Sequence, residues 1–376
     1  MGSEDAEPIN HQPPGQFTAL IAERFSTWGA IPFALRGVFD EPSPNEVAMA
    51  LDGFCARFLG AGIEHGEFLE ASVGTVCGVR LRDHRRVVVK LHSHGTSVEF
   101  LDAVQRVQQA LAKEDVPCPM PLVGPTPLRR GTAVAETLLD RGDHADAHDP
   151  SVRAAMAEGL AHLVAYCDRL AGLDGLRQAP MDGSSDRLWP RPHDRRFDFE
   201  ATRHGAEWID RIATSASQIR DRLPGQDVVG HTDWRAENMR FEQGRISAVY
   251  DWDSLRIQPE PVLVGWAAHG FTMNWAIENQ MQLPTLDEAL AFAAEYEAAR
   301  DGPFTAQEEQ VLRAALVYAM AYTARCEHSD LLTDFGAQPP MPRKKSSVPA
   351  GTARAFLAAH ASELLGAEVG SVPTIV

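Results

Sequence analysis

Two short polar islands carry residue types that could do chemistry together. "VVGHTDWRAENMRF" (228–241) holds His231, Asp233 and Asn238, and "AVYDWDSLR" (248–256) holds Asp251 and Asp253. Asp233 and Asn238 stand five residues apart, and an aspartate follows about a dozen residues later, a set suited to phosphoryl transfer onto a hydroxyl. A hydroxyl attacking a γ-phosphoryl group needs a carboxylate to orient it and take its proton, which Asp233 can do. The polyphosphate comes with Mg2+, a hard cation that prefers oxygen ligands, and Asn238 and Asp251 can supply them. His231 reads as a brace for the loop rather than a chemical participant. Asp and Asn also favour turns for local reasons. It is the apolar, strand-like runs around both islands that give the pattern its weight.

Such groups must be held by regular elements. A loop between two short strands brings both islands to one end of a hairpin. Upstream, "FLEASVGTVCGVRLRDHRRVVVKLH" alternates and is rich in valine, which predicts two or three antiparallel strands, and "TAVAETLLD" predicts another. Between them, "SVEFLDAVQRVQQALAKEDVPCP" predicts a helix with Ser97 as N-cap and Glu99 in its first turn. Two helical patterns, "FTALIAERFSTWG" and "NEVAMALDGFCARFLGAG", precede the strands. Beyond residue 150 the pattern is helical over 151–174, 198–223, 260–280, 285–300, 305–329 and 351–366, apart from the strands around the islands. The expected fold class is α+β, with a disordered tail (1–15), a β-rich N-terminal lobe with its preceding helices (16–135), a linker (136–142) and a helical C-terminal lobe (143–376). "AQPPMPRKKSSVPAG" reads as an exposed loop.

Bulk properties exclude several classes. The 376-residue chain carries a formal net charge of −17, which argues against nucleic acid as a partner. Its apolar runs are too short to span a bilayer, and its polar, acidic start lacks the features of a signal peptide. The five scattered cysteines read as reduced thiols of a cytoplasmic protein. The signatures of P-loop ATPases, zincins and α/β-hydrolases are missing. "RGDHADAHD" groups Asp143, His144, Asp146, His148 and Asp149, and reads as a solvated loop or the rim of a substrate entrance rather than a metal cage.

The sequence resembles the aminoglycoside phosphotransferase/choline kinase family of small-molecule kinases, from roughly Glu70 to Asp253. "HTDWRAEN" stands where that family carries H-G-D-x-x-x-x-N, and "VYDWD" where it carries I-D-W-D/E. The resemblance implies a bilobal protein-kinase-like fold, ATP or GTP as donor, and Mg2+. It makes Asp233 the catalytic base, Asn238 and Asp251 magnesium ligands, and Asp253 a helper. It assigns the phosphate-covering loop to Ser72, Gly74 and Thr75, and the phosphate-binding lysine to Lys90. Backbone groups near Glu136 and Leu138 then meet the adenine edge. The glutamate that orients the lysine in this family has no counterpart at Val104 or Gln105, so Glu99 is the nearest candidate partner and Asp102 the second. Other departures are Thr232 in place of glycine and the lack of aspartate in "SLRIQPEPVLVGW".

The acceptor is a small molecule. The acidic balance, with Asp143, Asp146, Glu260, Glu278 and Glu327 in the helical lobe, favours one bearing an amine, such as an aminoglycoside or another antibiotic. A kinase of a metabolic alcohol (choline-, homoserine- or sugar-like) and a nucleotide-binding pseudokinase stay open. Oligomeric state is not legible.

Overall fold

The computed structural model describes residues 15–71, 74–114, 116–178, 187–190, 192, 197–223, 225–278, 282–332 and 352–366. The tail expected over 1–15, apart from Gly15, and the stretch "AQPPMPRKKSSVPAG" lie outside these residues. The chain divides into two compact units. The described part of the first covers residues 15–102 and 119–138, and that of the second covers 103–118 and the chain from 139 onward.

In the first unit three helices, α1 (Gly15–Trp28), α2 (Phe33–Phe39) and α3 (Pro44–Phe58), precede an antiparallel sheet. Its strands are β1 (Ile63–Ala71), β2 (Thr75–Leu81), β3 (Arg86–His92), β4 (Pro121–Leu128) and β5 (Gly131–Thr137), in the order β1-β2-β3-β5-β4. Helix α3 starts with Ser43 and Glu46 capping each other's backbone N–H groups and Pro44 in the first turn, where no N–H is needed. One face of the sheet, including Cys77, Val79, Val87, Val89, Leu91, Ala133 and Ala135, packs with α1, α2 and α3 in a buried core. Side chains alternate across a strand, so Val88, Lys90, Val134 and Glu136 stand on the opposite face.

The second unit takes up α4 (Val98–Lys113), which begins in the first, and adds α5 (Pro150–Cys167) and α6 (Glu207–Arg222). Four short strands follow: β6 (Asp227–His231), β7 (Met239–Glu242), β8 (Arg245–Val249) and β9 (Leu255–Pro259). After them come α7 (Glu260–Gly270), α8 (Leu286–Ala299), α9 (Ala306–Leu332) and α10 (Thr352–Leu365). Helix α9 is the mast of this unit. It packs against α6, α7 and α10, and its residues from Val311 to Ala321 are buried with one half-buried exception, Arg313.

The strands around the islands do not form the single hairpin expected. β7 pairs with β8 as an inner ribbon, and β6 pairs with β9 as an outer one. Each island occupies a break where the chain passes between the ribbons. The helix expected over 260–280 also stops early, at Gly270. Beyond it the backbone turns to serve the first island: Ala236 N–H donates to the Phe271 carbonyl and Glu237 N–H to that of Met273, at 2.9 and 3.0 Å.

Buried charge links α7 to α8. The Glu260 carboxylate accepts from the Tyr296 hydroxyl at 2.8 Å and from Arg300 at 2.7 and 2.9 Å. Replacing Arg300 with methionine leaves that carboxylate buried without its cation and is expected to cost about 3–5 kcal/mol in urea unfolding. Pairing Arg300→Met with Glu260→Gln should restore much of the loss. An equal loss in both variants would mean that packing by the arginine stem dominates.

Candidate active site

β6 ends in His231, which is fully buried. Its Nε2–H donates to the Tyr250 carbonyl at 2.9 Å, and its ring meets Trp234 and Trp252 edge-on at 5.7 and 5.8 Å. Both indoles are tied down, Trp234 to the Met156 carbonyl on α5 and Trp252 to that of Val249, each at 2.8 Å. The histidine thus joins the two islands mechanically.

Asp233 follows, half-buried. Its Oδ2 accepts from Asn238 Nδ2 at 2.8 Å and lies 3.2 Å from Arg235 Nη2. The Asn238 amide nitrogen also donates to the Asp233 carbonyl at 3.0 Å. With its NH2 group committed to Asp233, the side chain of Asn238 has its carbonyl oxygen as the group that can serve a cation.

The second island is fixed through its backbone. Tyr250 N–H donates to the Asn238 carbonyl at 2.9 Å. Asp251 adopts left-handed φ and ψ of 60° and 42°, which non-glycine residues rarely do and aspartate tolerates better than most. Ser254 supports it twice: its N–H donates to the Asp251 carbonyl at 2.9 Å and its hydroxyl to Asp251 Oδ2 at 3.0 Å. Thr232 completes the tie, because its N–H and hydroxyl both donate to the Ser254 carbonyl, at 2.9 and 2.8 Å. Where the family has glycine, this chain thus has a side chain that stitches the islands together. Asp253 is half-buried, and its carbonyl accepts from Arg256 at 2.7 Å.

The Asp251 and Asp253 carboxylates and the Asn238 amide oxygen would offer a cation oxygen donors only, the kind that Mg2+ prefers. That ion takes few protein ligands and keeps several waters. Among the described residues no cluster of three or more His, Cys, Asp or Glu side chains forms a metal cage. In the loop after the linker, Asp149 caps α5, His148 pairs with Glu288 at 2.9 Å, and Asp146 accepts from the His148 N–H. His144 lies 3.2 Å from Arg240 and 3.4 Å from Asn274. The loop is anchored at Gly142, whose φ of +77° and approach to Phe241 leave no room for a Cβ, while Asp143 and Phe241 exchange backbone hydrogen bonds.

In the first unit, Lys90 Nζ lies 3.1 Å from Glu136 Oε1, and each side chain is only 7 % exposed. The register explains the pairing. Lys90 stands opposite Val134, and Glu136 opposite Val88, so the two charges are diagonal neighbours on one sheet face. Glu99, the candidate partner from the sequence, is instead exposed. It accepts from the Ser97 hydroxyl at 2.7 Å, a bond that holds its carboxyl below the usual value. Asp102 is half-buried on the same helix. Thr75 is fully buried, and a Cβ on Gly74 would press on the Leu91 carbonyl at 3.3 Å; Ser72 lies outside the described residues. The Leu138 N–H donates to the Arg86 carbonyl at 3.2 Å.

Sequence reasoning missed the side chain of Glu136, and also Arg235. The guanidinium of Arg235 spans Asp233 and Glu237, at 3.2 and 3.4 Å, and lies over the Trp275 ring at 5.1 Å. A glutamate inside the apolar run "TAVAET" was the available signal for the first. Beside Asp146, which accepts from the His148 N–H, two more of the acidic acceptor candidates have structural partners. Glu260 holds Arg300, and Glu327 accepts from the N–H groups of Ala353 and Arg354 at the start of α10, with its pKa raised by burial. Asp143, Asp146 and Glu278 are exposed.

A five-stranded antiparallel sheet in one unit and paired acid–amide loops in a helical second unit define a protein-kinase-like fold. The profile of the Phosphotransferase enzyme family, APH, matches residues 78–303, and the chain belongs to that family. It is therefore a phosphotransferase enzyme that resembles small-molecule kinases in fold. Among solved structures it is similar to an AMP-bound spectinomycin phosphotransferase, with 14% identity and a TM-score of 0.51 over 76% of this chain and 90% of that one. It is also similar to an amicoumacin kinase in complex with AMP-PNP, Ca2+ and amicoumacin, with 13% identity and a TM-score of 0.52 over 85% of this chain and 95% of that one. No curated protein matches the sequence.

Proposed function

We propose that the enzyme moves the γ-phosphoryl group of ATP or GTP, bound with Mg2+, to a hydroxyl of a small molecule. The observation that carries this reading is the joined pair of islands, in which hydrogen bonds tie the stretch bearing Asp233 and Asn238 to the one bearing Asp251. In the reaction Asp233 orients the acceptor hydroxyl and takes its proton as the oxygen attacks the γ-phosphorus, whose bond to the β–γ bridging oxygen breaks so that ADP or GDP leaves. Asn238 and Asp251 would hold the metal, with Asp253 as helper. Mg2+ supplies charge neutralisation along the triphosphate. Lys90 binds the phosphates nearer the base, the loop at Ser72, Gly74 and Thr75 covers them, and backbone groups near Glu136 and Leu138 meet the base. With the Leu138 N–H bonded to Arg86, its carbonyl is the group available for that contact.

The acceptor in this reading carries an amine, as an aminoglycoside or another antibiotic does. Exposed Asp143, Asp146 and Glu278 and the net charge of −17 support that preference. The reaction takes place in the cytoplasm, a setting supported by the five cysteines, which stand as thiols. The test is a panel of aminoglycosides, other antibiotics, amino alcohols and sugars, scored by acceptor-dependent release of ADP or GDP. A best substrate without an amine, or a rate that does not fall with salt, would remove the cationic acceptor. Nucleotide binding without release on any acceptor would favour a pseudokinase.

Ser254 gives a sharper check on the metal side. Hydrogen-bonding partners of a metal ligand typically matter by about 10–100-fold in metal affinity. Ser254→Ala is therefore expected to raise the Mg2+ concentration needed for AMP-PNP binding by about tenfold or more. Titration calorimetry in graded Mg2+ would measure it. An unshifted requirement would show that the hydroxyl on Asp251 does not matter for the metal.

A further inference from the structure

The ion pair between Lys90 and Glu136 has a cost that its surroundings make plain. An ammonium and a carboxylate that are each 7 % exposed have lost most of their water, and burial of either alone would be strongly unfavourable. Two buried apolar residues, Val88 and Val134, stand opposite them on the same sheet face, so each charge faces a valine across the ladder. A charge pair kept at such a place calls for a use. The geometry points to Glu136 as the positioning residue for Lys90, which aims the ammonium at the phosphates of the nucleotide. This inference rests on the reading of Lys90 as the phosphate-binding lysine.

The chain has no glutamate at the helical position that usually orients this lysine, and Glu99 is exposed and bonded to Ser97. Glu136 offers Lys90 a carboxylate from a strand. β3 and β5 are paired in continuous register from Val87–Thr137 to His92–Thr132, so the separation of the two side chains is set by the ladder itself. A helix-borne partner can swing away, whereas a partner on the adjacent strand moves only if the sheet does. Binding-readiness of the lysine is thereby built into the sheet.

The test uses the full chain and two probes, AMP-PNP with Mg2+ and adenosine, measured by calorimetry. Glu136→Gln keeps size and removes the charge. Hydrogen bonds to charged groups are worth about 1.5–3 kcal/mol, so AMP-PNP affinity is expected to fall on the order of tenfold or more. Adenosine, which has no phosphates, should bind as before. In a Lys90→Gln background the same change should have no further effect on AMP-PNP, and Glu136→Asp should recover most of the affinity. An equal loss for adenosine, an equal loss in both backgrounds, or no loss at all would overturn the assignment. Should Glu136→Gln fail to fold, the double variant Lys90→Gln/Glu136→Gln, neutral at both positions, is compared with Lys90→Gln alone. Equal AMP-PNP affinity in those two supports the assignment, and a further loss in the double variant overturns it. Wild-type protein that binds neither probe would instead remove the nucleotide reading, and the inference with it.

Discussion

Asp233→Asn is expected to lower acceptor turnover by about 10²–10⁴-fold, the usual effect of losing a positioned acid–base group. The substitution keeps shape. Asn238 Nδ2 and Arg235 both approach Oδ2, and the carbonyl oxygen of an asparagine can still accept from them, so the loop should keep its form. What is lost is the capacity to take the hydroxyl proton. AMP-PNP affinity should stay near the wild-type value, since the proposed metal ligands and Lys90 are untouched. Steady-state turnover on the best acceptor, beside calorimetry with AMP-PNP, separates the two effects. Turnover close to wild type would show that Asp233 is not the base.

Asp251→Asn is expected to act on binding instead. Asparagine accepts the left-handed backbone at φ 60° about as well as aspartate, so the turn should survive and leave the charge as the main change. Removing an anionic ligand that faces a triphosphate should weaken Mg2+-supported AMP-PNP binding by more than about 100-fold, beyond the range seen for partners one bond further out. Binding measured without divalent cation should change little. The readout is the difference in affinity with and without Mg2+. A difference equal to that of the wild type would take Asp251 out of the metal site.

The islands were legible as polar breaks between strands because residue type and short spacing mark them. Asp233, Asn238 and Asp251 lie within one stretch of chain, and the apolar runs beside them could only be strands. The ribbons that carry them were not legible. Alternation reveals strands, but not that β6 passes over β7 and β8 to pair with β9. Glu136 illustrates the same limit at a single side chain. Its linker position was visible, but its proximity to Lys90 depends on cross-strand register, which a single sequence does not state. The stretch from Phe271 to Trp275 misled in the opposite direction. It is as apolar as a helix, yet it gives its carbonyls to the first island and leaves α7 short.

Helix α9 has consequences for how the chain comes into being. Its middle is apolar on every side, and α6, α7 and α10 all lean on it. During synthesis it emerges after β6 to β9, α7 and α8, so the ribbons bearing the islands leave the ribosome before the scaffold of their unit exists. Nascent chains that have not reached residue 306 therefore expose the buried faces of α6 and α7, surfaces of the kind that chaperones shield and that aggregate when unshielded. The islands are made early, but the helix against which α6 and α7 pack is made late.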